Sequence, residues 1–282
     1  MAVEFDQSAT EKYTGKVNSA FAAIHPKIRQ AMANDGWEFK AAGQFPYITD
    51  DYKEMFPGTR MTDVGVRVQE WEFVRGVTVG ANSDFSPTKS VLLQEMVVSQ
   101  RTGQRREAPN PGGVVRHEVG HVIDHLGDRL SLSEAFDKAY QQDMADHPDA
   151  EGLKKAFGDF IGDSRYHKKE RFAELMGSAI GSGKETGGVK GTDLAEELPK
   201  TFELSRKVAK NLELGLAADH GIERGKQLEA ADRGLDGVDY NGPGDGIVVD
   251  LDGWRAKRAA EASIAPDKPP EPDSRLPKLG GR

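Results

Sequence analysis

Apolar positions along this chain follow two rhythms. Val17, Phe21, Ile24 and Ile28 recur at helical spacing and predict an amphipathic helix over about 14–34, which Pro26 would kink or divide. A first strand is expected at Trp37–Ala42, and 43–63, rich in Gly, Pro and Asp, reads as loop. Val64, Val66 and Val68 then alternate strictly, and Val74-Arg75-Gly76-Val77-Thr78-Val79 extends the strand signal. A turn at 80–84 leads to the next expected strand, Val91–Ser99, and the long, charged segment Gln100–Pro111 reads as a solvated loop, with a flap over the cleft as the alternative.

The helical rhythm returns at Val115, Val119, Val122, Ile123 and Leu126, which form one stripe; His117, His121, Asp124 and His125 fall on the other side. This helix is expected to start after Asn110-Pro111-Gly112-Gly113 and to stop near Gly127. Further helices are expected at 131–144, 151–161 and 167–180, the last with Phe172, Leu175, Met176, Ala179 and Ile180 as its apolar stripe. A Gly-rich loop (181–191) precedes a mostly helical stretch, 194–217, whose apolar positions are Phe202, Leu204, Val208 and Leu212. The pattern predicts an α+β domain with a small sheet over 13–218, after a loose N-terminus, 1–12. Beyond it lie a Gly- and Asp-rich extension, 219–261, and a disordered Pro-rich tail, 262–282.

Composition narrows the function. Of 282 residues, 37% are hydrophobic and 30% charged, enough for one modest core with some chain left unpacked. The net charge of −8, without a basic block, argues against nucleic acid or an anionic membrane as partner. The absence of cysteine excludes disulfide scaffolds, zinc–thiolate sites and a cysteine nucleophile. No apolar run approaches the roughly 18 residues of a membrane helix, and the first residues show no basic and apolar signal-peptide pattern. The expected location is cytoplasmic, or outside the cell by a route that reads no standard signal.

Two weak motifs are set aside. Gly181-Ser182-Gly183-Lys184 hints at a phosphate loop, but Ser178 stands where the first glycine belongs and Glu185 follows the lysine. Asp239-Tyr240-Asn241-Gly242-Pro243-Gly244 hints at a calcium loop, but Pro243 holds a ligand position and Asp250 replaces the bidentate glutamate.

The strongest chemical signal is His117-Glu118-Val119-Gly120-His121, an HExxH motif. Four residues apart on a helix, the two histidines share a face and can hold one metal ion. Glu118 beside them can act as a general base toward an activated water. A catalytic zinc needs a third protein ligand. Gly127 stands ten residues after His117, where a metzincin would have His or Asp, and Asp124 and His125 share the helix of the first pair. A second helix must supply the ligand. In Lys169-Glu170-Arg171-Phe172-Ala173-Glu174, Glu170 and Glu174 lie one turn apart; they suit a ligand and a carboxylate that orients a histidine, and equally two solvated glutamates beside Lys168 and Lys169.

Taken together, His117-Glu118-Val119-Gly120-His121-Val122-Ile123-Asp124 and Glu170-Arg171-Phe172-Ala173-Glu174 resemble the anthrax lethal factor catalytic-domain family, which includes the Pro-Pro endopeptidases of clostridia. Leu132-Ser133-Glu134-Ala135-Phe136 with Ala139-Tyr140 resembles that family's next helix, and Pro199-Lys200-Thr201-Phe202 the opening of its closing helix; the likeness spans roughly 60–215. The resemblance implies a zincin-like metalloprotease domain in which the HExxH helix packs against a second, ExxxE helix. It implies one Zn²⁺ per chain on His117, His121 and Glu170, Glu118 as base, and Glu174 orienting a ligand. The family's active-site tyrosine stands seven residues before the ligand glutamate, where this chain has Asp163; either Tyr166 fills the role or another donor does. A strand beside the site is the expected seat of a peptide or protein substrate in extended form.

The sequence therefore reads as a zinc-dependent endopeptidase. Its rival is a non-catalytic virion, secretion-apparatus or adaptor protein carrying the same fold. A toxin or effector that reaches its target with a delivery partner would share the chemistry of the first reading.

Overall fold

The computed structural model describes residues 1–49, 56, 58–80, 89–158, 160–181 and 191–223. The chain divides into two units, Met1–Ile247 and Val248–Arg282, and the second lies wholly outside the described residues. So do the phosphate-loop residues 182–185, the calcium-like segment and the Pro-rich tail.

The fold mixes α and β structure. Its principal sheet has four strands in the order β1-β2-β6-β5. β1 (Val3–Phe5), β2 (Trp37–Ala42) and β6 (Lys89–Gln94) run parallel; β5 (Gly76–Val79) is antiparallel to β6 and forms one edge. Trp37, Phe39 and Ala41 of β2, with Val91 and Leu93 of β6, point to one face and enter the main core. Leu92 and Val79 point to the other and pack with Phe45, Phe56 and Trp71. The expected loose N-terminus is corrected here: Val3–Phe5 pair with Phe39–Ala41, and Val3 is buried. Three residues are too few to show a period, so the strand was invisible in the pattern.

Pro26 divides the first predicted helix into α1 (Glu11–Ala23) and α2 (Pro26–Asn34). Lacking an N–H, Pro26 fits the first turn of α2, where His25 Nδ1 caps the Lys27 N–H. The valine alternation at 64–68 is a hairpin and not a core strand. β3 (Thr59–Met61) and β4 (Arg67–Gln69) pair around Gly65, whose φ of +80° makes the turn, and Val64 and Val66 stay exposed. The expected strand at 91–99 is β6 followed by β7 (Met96–Val98), and β7 pairs with the exposed β8 (Arg105–Glu107) in the segment expected as loop.

The motif helix, α3, spans Pro111–Leu126. Asn110 caps it from the left-handed region, accepting the Gly113 N–H, and Gly127 ends it. It is buried on all sides, which the single apolar stripe did not suggest. Its second face is covered by α6 (Arg165–Ala179), and Gly120 permits the crossing. A Cβ at Gly120 would lie 2.7 Å from Ala173 Cα and closer still to the Ala173 carbonyl oxygen.

Between these helices run α4 (Glu134–Asp146) and the short α5 (Ala150–Ala156). The predicted helix at 194–217 is two, α7 (Gly191–Glu197) and α8 (Pro199–Leu214), separated at Pro199. Leu198 gives α8 no side-chain cap. Instead, buried Asp143 of α4 accepts the Lys200 N–H (3.0 Å), the Thr201 N–H (2.8 Å) and the Thr201 hydroxyl (2.7 Å). Among the described residues, no helix is long and apolar enough to cross a membrane.

Candidate metal centre

The crossing of α3 and α6 brings His117 and His121 against Glu170. Glu170 Oε2 lies 3.3 Å from His117 Nε2, and its Oε1 lies 3.4 Å from His121 Nε2. One atom from each of the three residues falls within 4.8 Å of the others, so the group can hold a metal ion. Two imidazoles and one carboxylate are the donor types of a catalytic zinc site.

The buried Glu174 side chain sits one turn beyond Glu170. Its Oε2 lies 2.7 Å from His117 Nδ1. A proton on Nδ1 donated to this carboxylate leaves the Nε2 lone pair facing Glu170, which is the tautomer a metal ligand needs. His121 differs: its Nδ1 is buried without a hydrogen-bond partner among the described residues.

The electrostatics follow from this packing. Burial alone would lower the His117 pKa, but hydrogen bonds to Glu170 and Glu174, with their charges, hold it well above the ordinary value. His121 moves up as well, because the Glu170 charge and hydrogen bond outweigh burial. Burial would raise Glu170, yet the two histidines hold it below the usual carboxylate range. Glu118 is pushed up by burial, against the opposing pull of His117, His121 and the Thr78 hydrogen bond.

Edge strand β5 positions Glu118. Thr78 Oγ1 donates to Glu118 Oε2 at 2.8 Å. A Cβ on Gly76 would lie 2.7 Å from Glu118 Oε1 and 2.9 Å from Val114 Cγ1, so only glycine lets the strand come this close. Neither residue was singled out from the sequence. A glycine inside a strand pattern was the available signal for Gly76; Thr78 had none, being 40 residues from its partner. Among the described residues the edge beside the site is β5, and β6 is interior.

Other candidates fall elsewhere. Asp124 does not face the cluster. Its carboxylate accepts the Ser131 N–H and hydroxyl, both at 2.7 Å, and fixes the turn after α3. His125 packs edge-on against Trp37. Asp163, in the position of the family's tyrosine, accepts a hydrogen bond from Gln141. Tyr166 lies half-buried in the first turn of α6, four residues before Glu170, with its ring edge-on to His167.

The fold and this cluster define a mixed α/β protein with a candidate metal centre. No family model and no curated protein matches the chain. Among solved structures it is similar to a Pro-Pro endopeptidase from Paenibacillus alvei, at 15% identity and a TM-score of 0.46, over 73% of this chain and 96% of that one. A likeness this distant bears on neither ligand nor reaction.

Proposed function

We propose that this chain is a zinc-dependent endopeptidase with a zincin-like domain, acting on a peptide bound in extended form. The observation that supports it best is the convergence of His117, His121 and Glu170 beside the buried Glu118. In this reading the two histidines and Glu170 hold one Zn²⁺, which when bound would polarise the scissile carbonyl and acidify a water.

The chain's own groups do the rest. Glu118 takes the water's proton and returns it to the departing amine nitrogen. Burial favours that role, because it makes the carboxylate a stronger base than a solvated glutamate. Thr78 holds Glu118 in one orientation, and Glu174 fixes the tautomer of His117. Tyr166, one turn before Glu170, is the proposed donor to the carbonyl oxygen as its negative charge develops. Among the described residues, β5 is paired on one side only, so a peptide can add there as a further strand.

The test is zinc content beside cleavage of a peptide library, for wild type, Glu170→Ala and Glu118→Gln. The reading expects about one zinc in wild type, much weakened binding in Glu170→Ala, and zinc without cleavage in Glu118→Gln. Glu118→Gln protein that cleaves at the wild-type rate would refute the base. Wild type that takes up no zinc would return the chain to the non-catalytic reading.

A further inference from the structure

Arg75 immediately precedes Gly76, the residue of β5 that abuts the Glu118 carboxylate. Its side chain is buried, at 7% exposure, and its Nε and Nη2 have no hydrogen-bond partner among the described residues. Burying guanidinium donors unpaired is costly, and a ligand that accepts from both would remove that cost.

Two observations say what that ligand is. The orphaned nitrogens are the pair along one edge of the guanidinium, and their parallel N–H bonds match the two oxygens of a carboxylate. The surroundings also leave room for negative charge. Burial and the neighbouring Arg106 push the Arg75 pKa down to about 10, and Glu174 opposes them. Glu174 is itself engaged with His117 Nδ1.

The backbone here is held still. Buried Gln94 donates from its side-chain amide to the carbonyls of Trp71 (2.7 Å) and Val74, and its backbone N–H donates to that of Arg75 (2.9 Å). Its Oε1 accepts the Phe45 N–H. The fork is therefore carried on a fixed segment at the start of β5, which among the described residues is paired on one side only.

We propose that Arg75 is the receptor for a carboxylate on the bound peptide, taken between Nε and Nη2 where the peptide runs along β5. This deepens the peptidase reading and rests on it for the identity of the ligand. The carboxylate is either an acidic side chain or the peptide's own C-terminus. The first keeps the endopeptidase reading and makes it selective for acidic residues beside the cut; the second would replace that reading with a carboxypeptidase.

The experiment titrates the full-length protein with N-acetyl-glutamate amide, which carries only the side-chain carboxylate, and N-acetyl-glycine, which carries only the α-carboxylate. N-acetyl-glutamine amide is the uncharged control. The readout is the Arg75 Nε–H resonance, assigned by its loss in Arg75→Lys. One acid is expected to shift that resonance saturably while the control does not. By calorimetry its affinity should fall at least tenfold in Arg75→Lys and Arg75→Met. Arg75→Met should melt at or above the wild-type temperature, since it removes buried guanidinium nitrogens that lack hydrogen-bond partners among the described residues. A resonance that neither acid moves, equal affinity in Arg75→Met, or a lower melting temperature for it would overturn the proposal. Because the signal comes from Arg75 itself, it stands apart from zinc content and cleavage, which test the peptidase reading.

Discussion

Gly120→Ala is the most informative single change in this molecule. It adds one methyl carbon at the crossing of α3 and α6. That carbon would sit 2.7 Å from Ala173 Cα, against an ordinary carbon–carbon separation of about 3.5–4.0 Å. The obstacle is backbone, which no rotamer change can clear, so the helices must part by roughly 1 Å. Overpacking of this kind costs about 1–3 kcal/mol, and a backbone obstacle belongs at the upper end. For a domain of this size ~3 kcal/mol corresponds to a melting temperature lowered by about 6–12 °C. The same displacement carries Glu170 away from His117 and His121, where metal sites tolerate only about ±0.2 Å. Zinc retention against a competing chelator should therefore fall more than ~10-fold, well beyond what the lost stability explains. Thermal melting beside chelator competition reads both effects. A Gly120→Ala protein with the wild-type melting temperature and zinc retention would refute the view that this crossing sets the site.

Three further changes separate the parts of the design. Glu174→Ala frees the His117 ring and should weaken zinc binding by about 10–100-fold with little change in secondary structure, as measured by chelator competition and circular dichroism. Thr78→Val removes a hydroxyl of about the same volume; zinc content should be unchanged and kcat should fall by roughly tenfold, the equivalent of one hydrogen bond to a charged group. Asp143→Ala strips three hydrogen bonds from the start of α8 and should cost about 3 kcal/mol in denaturant unfolding, yet folded protein should still bind one zinc, because Asp143 does not touch the cluster.

The local features of the motif helix were legible in the chain. Asn110, Pro111 and Gly127 are start and stop signals whose action is confined to neighbouring residues, and the structure places the helix ends there. The spacing of Glu170 and Glu174 left two meanings open, because whether those carboxylates meet histidines or water depends on what crosses α6. That crossing rests on Gly120 lying against Ala173, a fit between segments some fifty residues apart that no periodicity records. Asp124 was placed with the histidines by its angle around the helix, but it turns instead to Ser131, seven residues on. Arg75 and Thr78 showed only as members of a strand, since their neighbours at the site come from other elements. Patterns repeat along a chain; a site is made by segments that meet once.

The burial of α3 has a bearing on motion. Thirteen of its sixteen residues are buried, so its amides can reach solvent only through an opening that dismantles the core around them. Hydrogen exchange along this helix should be among the slowest in the protein, close to the rate set by global unfolding. The two histidines and Glu118 then ride on the least yielding part of the fold. On the proposed function, breathing that admits a substrate must come from the opposite wall, at the edge strand β5.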